Sequence, residues 1–289
     1  MSNLVIVSGD FSSGTTLLFT LFRKIGGYYC LYEPLHEKLL EYLIMPLRVY
    51  EHHYFVEDYF VEYKGFSAIP QLFDPMWASN MLYMPPEIQD DALYRYMSYL
   101  VGTAFGRSAN VMLKENRISL RLGWIRAKFP QAKIIHIYRD KDKQWNSIVR
   151  RAQAHVGRED VGQADVTFSG MNIARRCDAL KQDFPELDAN RSKSGYERFT
   201  KLWDIIQAEH HRYADLSVDY GKLTHDFETT FQSVLDCVGA QADIAALKQY
   251  VVAPEEQQRL EIQPSRSKWM QRLFDRAARR YAQIRSRPR

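Results

Sequence analysis

Four short apolar runs punctuate the chain: Leu4–Val7, Val111–Leu113, Ile134–Tyr138 and Leu216–Val218. None alternates apolar with polar residues, and continuous runs of this length suit parallel strands covered on both faces. Between them, apolar positions recur at helical spacing. Helices are predicted over Thr15–Lys24, over Arg117–Phe129 ahead of Pro130, over Lys143–Ala154, and over Tyr196–Tyr213 with Phe199, Leu202, Trp203 and Ile206 on one face. Strand, glycine turn and helix in succession imply right-handed βαβ units. The expected fold is therefore α/β and P-loop-like, three layers with a central parallel sheet flanked by helices, in a single domain over 1–289.

Two regions resist this scheme. Residues 36–105 are crowded with Tyr, Phe, Met and His, including EHHYFVEDYFVEY at 51–63, and read either as core packing or as the aromatic wall of a ligand pocket. Residues 157–195 are polar, with GREDVGQAD and DANRSKSG, and read as a long loop or lid.

Composition changes the picture little. The 289 residues are 46% hydrophobic and 26% charged, as in ordinary globular proteins, and a net charge of +4 gives no argument for nucleic acid. The charge is uneven, however: residues 271–289 hold seven arginines against one acid, Asp275. On a helix, Leu273, Ala277, Tyr281 and Ile284 would pack, leaving the arginines solvated or facing a phosphate or partner. Cys30, Cys177 and Cys237 are far apart and odd in number, which excludes a disulfide framework and a zinc site and fits a reducing compartment. With no signal core and no apolar span, a cytoplasmic protein is expected.

Candidate chemistry begins at SGDFSSGTTLL, residues 8–18. Gly9 and Gly14 have the spacing of a phosphate-binding P-loop, but Thr15 stands where that loop carries lysine. A glycine loop feeding a helix still offers free backbone N–H groups and the positive end of the helix dipole. Ser12, Ser13, Thr15 and Thr16 add hydroxyls. Without the lysine a triphosphate is poorly neutralised, so a less charged group suits the loop better. A second segment, KIIHIYRDKDKQWNSIVRR, ends a predicted strand at Arg139 and sets Ser147 eight residues on, where guanidinium and hydroxyl can converge on one anion.

Together the two segments resemble the sulfotransferases that use 3′-phosphoadenosine 5′-phosphosulfate (PAPS). The family's [RK]-S-G-T-T loop, which binds the 5′-phosphosulfate end, corresponds to Ser12–Thr16, with Leu17 following. Its strand-end arginine and the serine eight residues later, which bind the 3′-phosphate, correspond to Arg139 and Ser147. LSVDYGKL at 216–223 resembles a further segment and makes Tyr220 a candidate adenine contact; PSRSKW at 264–269 resembles a degenerate C-terminal one and brings in Ser265 and Arg266.

The resemblance implies PAPS as donor, its bisphosphate (PAP) as product, and no required metal. It also implies a small-molecule or carbohydrate hydroxyl acceptor, with 36–105 as the acceptor-side insertion. Two departures stand out. Ser12 replaces the basic loop residue, for which Lys114 is the first substitute, and Asn116 in LKEN replaces the family's catalytic histidine. YYCLYEPLHEKL at 28–39 resembles the Y-L-F-E-P segment of carbohydrate sulfotransferases. There Glu33, at a strand end and biased to extended geometry by Pro34, is the candidate base, with His36 second. A non-catalytic PAP- or PAPS-binding protein and a P-loop kinase are the alternatives.

Overall fold

The computed structural model describes residues 3–44, 58–156, 167–168, 171–192 and 194–251. In chain order the elements are β1 (Asn3–Ser8), α1 (Thr15–Ile25), β2 (Tyr28–Tyr32), α2 (Leu39–Ile44), α3 (Ile69–Leu72), α4 (Asp91–Phe105) and β3 (Asn110–Glu115). There follow α5 (Leu122–Lys128), β4 (Lys133–Tyr138), α6 (Lys141–Val156), a two-residue antiparallel pair β5 (Thr167–Phe168) and β6 (Met171–Asn172), and α7 (Ile173–Leu180). The chain continues through α8 (Gly195–Tyr213), β7 (Leu216–Asp219), α9 (Tyr220–His225), α10 (Phe227–Val238) and α11 (Ile244–Leu247).

Five strands form one sheet in the order β2-β3-β1-β4-β7, every pair parallel. Successive strand residues point to opposite faces, and Leu4 to Ser8 are all buried, so both faces of β1 are covered. All four apolar runs are strands of this sheet. The fifth strand, β2 (YYCLY), is an edge: Tyr28, Tyr29 and Tyr32 are only half-buried, and its tyrosines hide it from a search for apolar runs.

Helix limits follow from local chemistry. α8 opens at Ser194, whose hydroxyl accepts from Glu197 N at 3.2 Å, and Asp90 caps α4 through Leu93 N at 2.9 Å. α10 stops at Gly239, where φ of 64° takes the left-handed turn that releases the chain.

Two expectations need correction. The helix predicted from Arg117 begins only at Leu122. Before it, Arg117 N donates to Glu115 Oε1 and the Ser119 hydroxyl to Asn116 O, side-chain bonds that compete with helical ones. Within 157–195 the described residues include α7 and two short 3₁₀ turns at Pro185–Leu187 and Ala189–Arg191, so that part is not a loop, while 157–166, 169–170 and 193 lie outside the described residues. Ile173, Cys177 and Leu180 of α7 pack with Ile148, Phe199, Leu202 and Ile206 in a second core beside the main one. In 36–105, Tyr59, Phe60, Tyr63, Phe66, Phe73, Trp77 and Tyr96 are buried in the main core, and 45–57 lie outside the described residues. Ser265, Arg266 and the arginine-rich end lie outside the described residues.

Candidate active site

In an open parallel sheet ligands bind beyond the carboxyl ends of the strands. The residues immediately following the five strands are Gly9, Glu33, Asn116, Arg139 and Tyr220. Four of these carry the sequence-derived chemistry, and the fifth begins the glycine loop.

Two glycines make that loop possible. A Cβ on Gly9 would lie 2.3 Å from the Ile137 carbonyl oxygen, so only glycine lets β1 turn against β4 here. Gly14 caps α1 with φ of 105°, and a Cβ there would lie 2.2 Å from Cδ2 of Tyr220. No side chain caps the helix, so the first-turn N–H groups at Thr15 and Thr16 keep their donors for a ligand. Ser12, at φ of 64°, and Ser13 bury their hydroxyls with no hydrogen-bond partner. Buried orphan polar groups are costly, and these two lie beside a helix N-terminus whose N–H groups also favour an anion. The loop is otherwise held from outside: Gln144 of α6, 1% exposed, donates to Phe11 O at 2.9 Å and accepts from Trp203 Nε1 at 3.1 Å.

The second cradle adjoins the first. The Arg139 guanidinium lies 5.0 Å from the centre of the Tyr220 ring, the same ring that covers Gly14, and Arg139 Nε is buried without a partner. Loop and strand-end arginine therefore flank one aromatic ring. Tyr220 itself is only 2% exposed, so in this state its ring offers no open face to a base; it braces Gly14 and Arg139 instead. Ser147 is buried on the α6 stripe formed with Gln144 and Ile148, the face that reaches the loop.

On the other side the ends of β2 and β3 carry a charge network. Glu33 is buried with φ of 39°, a left-handed turn and not the extended geometry expected before Pro34; its N–H donates to Lys114 O at 2.7 Å. Lys114 Nζ bonds Glu33 Oε1, and Arg117 Nη1 bonds Oε2 at 2.7 Å while its Nη2 bonds Glu37 at 2.6 Å. Burial alone would raise the Glu33 carboxyl, but Lys114 and then Arg117 hold it well below the usual carboxylate range. Burial lowers the Lys114 ammonium, against the pull of Glu33.

Lys114 is 1% exposed and lies 4.3 Å from the Tyr32 ring centre, so its charge is committed to Glu33 and does not reach the loop as a free cation. His36 is pushed down to about 4, first by burial and then by Arg117. Its Nδ1 accepts from Lys38 N at 3.1 Å, so the neutral ring carries its proton on Nε2, which faces Glu33 Oε2 at 4.0 Å.

Network and loop meet at two points. Asn116 accepts from the Thr15 hydroxyl at 2.9 Å, and the Tyr32 hydroxyl lies 3.4 Å from that of Thr16. Sequence reasoning missed Arg117, Gln144, Asp10 and Arg176. Arg117 and Gln144 stand next to Asn116 and three before Ser147, so proximity was their one available signal; Arg176, in the presumed lid, had none. Among the described residues no group of three or more His, Cys, Asp or Glu side chains could hold a metal ion, and no helix is long and apolar enough to cross a membrane.

A glycine loop at the start of α1 and a strand-end arginine thus meet around one ring, at the carboxyl ends of an all-parallel sheet in an α/β fold. The model of the sulfotransferase family matches residues 5–243, and the chain belongs to that family. Solved structures similar to it include a sulfotransferase from Alicyclobacillus acidocaldarius (13% identity over 90% of each chain, TM-score 0.43). Another is a sulfotransferase from Mycobacterium tuberculosis H37Rv (16% identity over 91% of this chain and 77% of that one, TM-score 0.46). A third is the sulfotransferase domain of the Synechococcus PCC 7002 olefin synthase (15% identity over 93% and 89%, TM-score 0.42). No curated protein matches the sequence.

Proposed function

We propose that this sulfotransferase takes its sulfuryl group from PAPS and passes it to a hydroxyl acceptor, a carbohydrate or other alcohol, by in-line displacement. The observation that carries the reading is the pair of orphaned cradles, Ser12 and Ser13 on one side and Arg139 Nε on the other, flanking Tyr220. In this reading the first-turn N–H groups with Thr15, Thr16 and the Ser12 and Ser13 hydroxyls hold the 5′ end and stabilise charge on the departing phosphate oxygen. Arg139 and Ser147 hold the 3′-phosphate. The donor, when bound, supplies an activated S–O bond.

The acceptor oxygen bonds to sulfur as the bridging S–O bond breaks, and the acceptor proton passes to Glu33. Glu33 is a weak base because Lys114 and Arg117 stabilise its anion. It therefore takes the proton late, once the new S–O bond has made the acceptor oxygen acidic. His36 is not the base here, because its Nδ1 lone pair is engaged by Lys38 N–H. A second reading, nucleotide binding without turnover, draws on Ser12, Asn116 and the commitment of Lys114 to Glu33.

Thermal shifts with PAP, AMP and ATP–Mg²⁺, followed by incubation with labelled PAPS and a mixed acceptor set, test the proposal. PAP should raise the melting temperature most, and label should appear in an acceptor. A preference for ATP–Mg²⁺ would refute the donor assignment; PAP binding without labelled product would favour the second reading.

A further inference from the structure

The glycine loop contains a negative charge of its own. Asp10 is 3% exposed, and its carbonyl accepts from Ser13 N at 3.2 Å, so the residue belongs to the turn leading into Gly14. A carboxylate built into an anion-binding loop opposes the ligand, the more so where burial lowers the effective dielectric. Between Gly9 and Thr16 the loop carries no Lys, Arg or His to compensate it.

Compensation comes from another element. Arg176 of α7, 8% exposed, places Nη1 2.9 Å from Asp10 Oδ1. No aligned hydrogen bond reaches that oxygen, so the contact is one of opposite charge more than of hydrogen-bond geometry. The same guanidinium lies 5.4 Å from the ring centre of Phe11, the next loop residue. α7 is held by Ile173, Cys177 and Leu180 in the second core, so Arg176 is presented to the loop from a packed helix face.

We infer that Arg176 is a positioning residue for the donor: it cancels the charge of Asp10 from outside the loop and so sets the loop's affinity for anions. The inference rests on the donor reading above only for the identity of the anion. It also accounts for how a loop with no basic residue of its own can accept an anion while Lys114 stays with Glu33.

The test is calorimetric titration of the wild type, Arg176→Gln, Asp10→Asn and the double variant, each with PAP and with inorganic sulfate. Arg176→Gln should weaken both probes by about tenfold or more, and the double variant should return to within about threefold of wild type. Asp10→Asn alone should tighten both severalfold. A merely structural ion pair predicts the opposite for Asp10→Asn, weaker binding together with a lower melting temperature, and that result overturns the inference. A double variant as weak as Arg176→Gln overturns it too. If Arg176→Gln does not fold, the direction of the Asp10→Asn change decides alone. Sulfate binding that follows the expected pattern without PAP binding would keep the inference and remove the PAPS donor; PAP binding unmoved by all three variants would do the reverse.

Discussion

The two sides of the site use polar groups in opposite ways. Around the loop, Ser12, Ser13 and Arg139 Nε are buried and unpartnered. Across Thr15 and Asn116, the ends of β2 and β3 bury Glu33, Lys114, Arg117 and Glu115, and nearly every charged atom has a partner; Arg117 Nε is the exception. Since an unmade buried hydrogen bond is expensive, the first side keeps donors that a bound anion would satisfy, while the second satisfies nearly all of its groups internally. Unsatisfied groups thus lie where the donor is proposed to bind, and satisfied ones form the charged scaffold at the ends of β2 and β3.

The comparison breaks most visibly at Glu33. Glu33→Ala leaves Lys114 and Arg117 buried without their shared carboxylate and should cost about 3–5 kcal/mol of stability, read as a shift in the urea midpoint. A change under about 1 kcal/mol would mean that the network is not the scaffold described.

Next in size is a pH effect under the loop. His136 and His210 stack at 3.8 Å between ring centres, and His210 Nε2 lies 3.0 Å from Oγ of Ser8, the last residue of β1. Burial, and then the neighbouring His210, push His136 down to about 2; burial pushes His210 down to about 4. Both native values lie below the unfolded one, so the stabilisation is complete above about pH 6.5 and is lost as pH falls, by roughly 3 kcal/mol at pH 4 from His210 alone. Denaturation midpoints at pH 7, 5.5 and 4.5 check this, because the window between pH 6.5 and 4.5 precedes protonation of Glu33. A flat profile there would contradict neutral buried histidines.

On the ligand side, Arg139→Ala should weaken PAP by roughly 2 kcal/mol, some thirtyfold, with AMP affinity and melting temperature nearly unchanged. Equal loss for AMP would detach Arg139 from the 3′-phosphate. The smallest effect belongs to the exposed pair Lys248–Glu228, 3.0 Å apart: Lys248→Ala should change stability by less than about 0.5 kcal/mol.

Much of this was written in local sequence. Buried parallel strands need continuous apolar runs, a phosphate-type loop needs glycines at fixed spacing, and a strand-end arginine follows its strand by one residue. Those features depend on neighbours a few positions apart, so they were legible at Leu4–Val7, Gly9, Gly14 and Arg139.

What only the folded chain decided is the state of those groups. Glu33 looks like an ordinary carboxylate in sequence, but Arg117, 84 positions away, and Lys114, 81 away, hold it as a stabilised anion and so make it the weak base proposed above. Tyr220 looks like a base-stacking ring, but closing the sheet places it on Gly14. Asp10 passes unnoticed in sequence, and only the folded chain brings Arg176 of α7 against it. Pairing and burial at such separations have no periodicity along the chain, so charge states at the site follow from the tertiary structure and from nothing shorter.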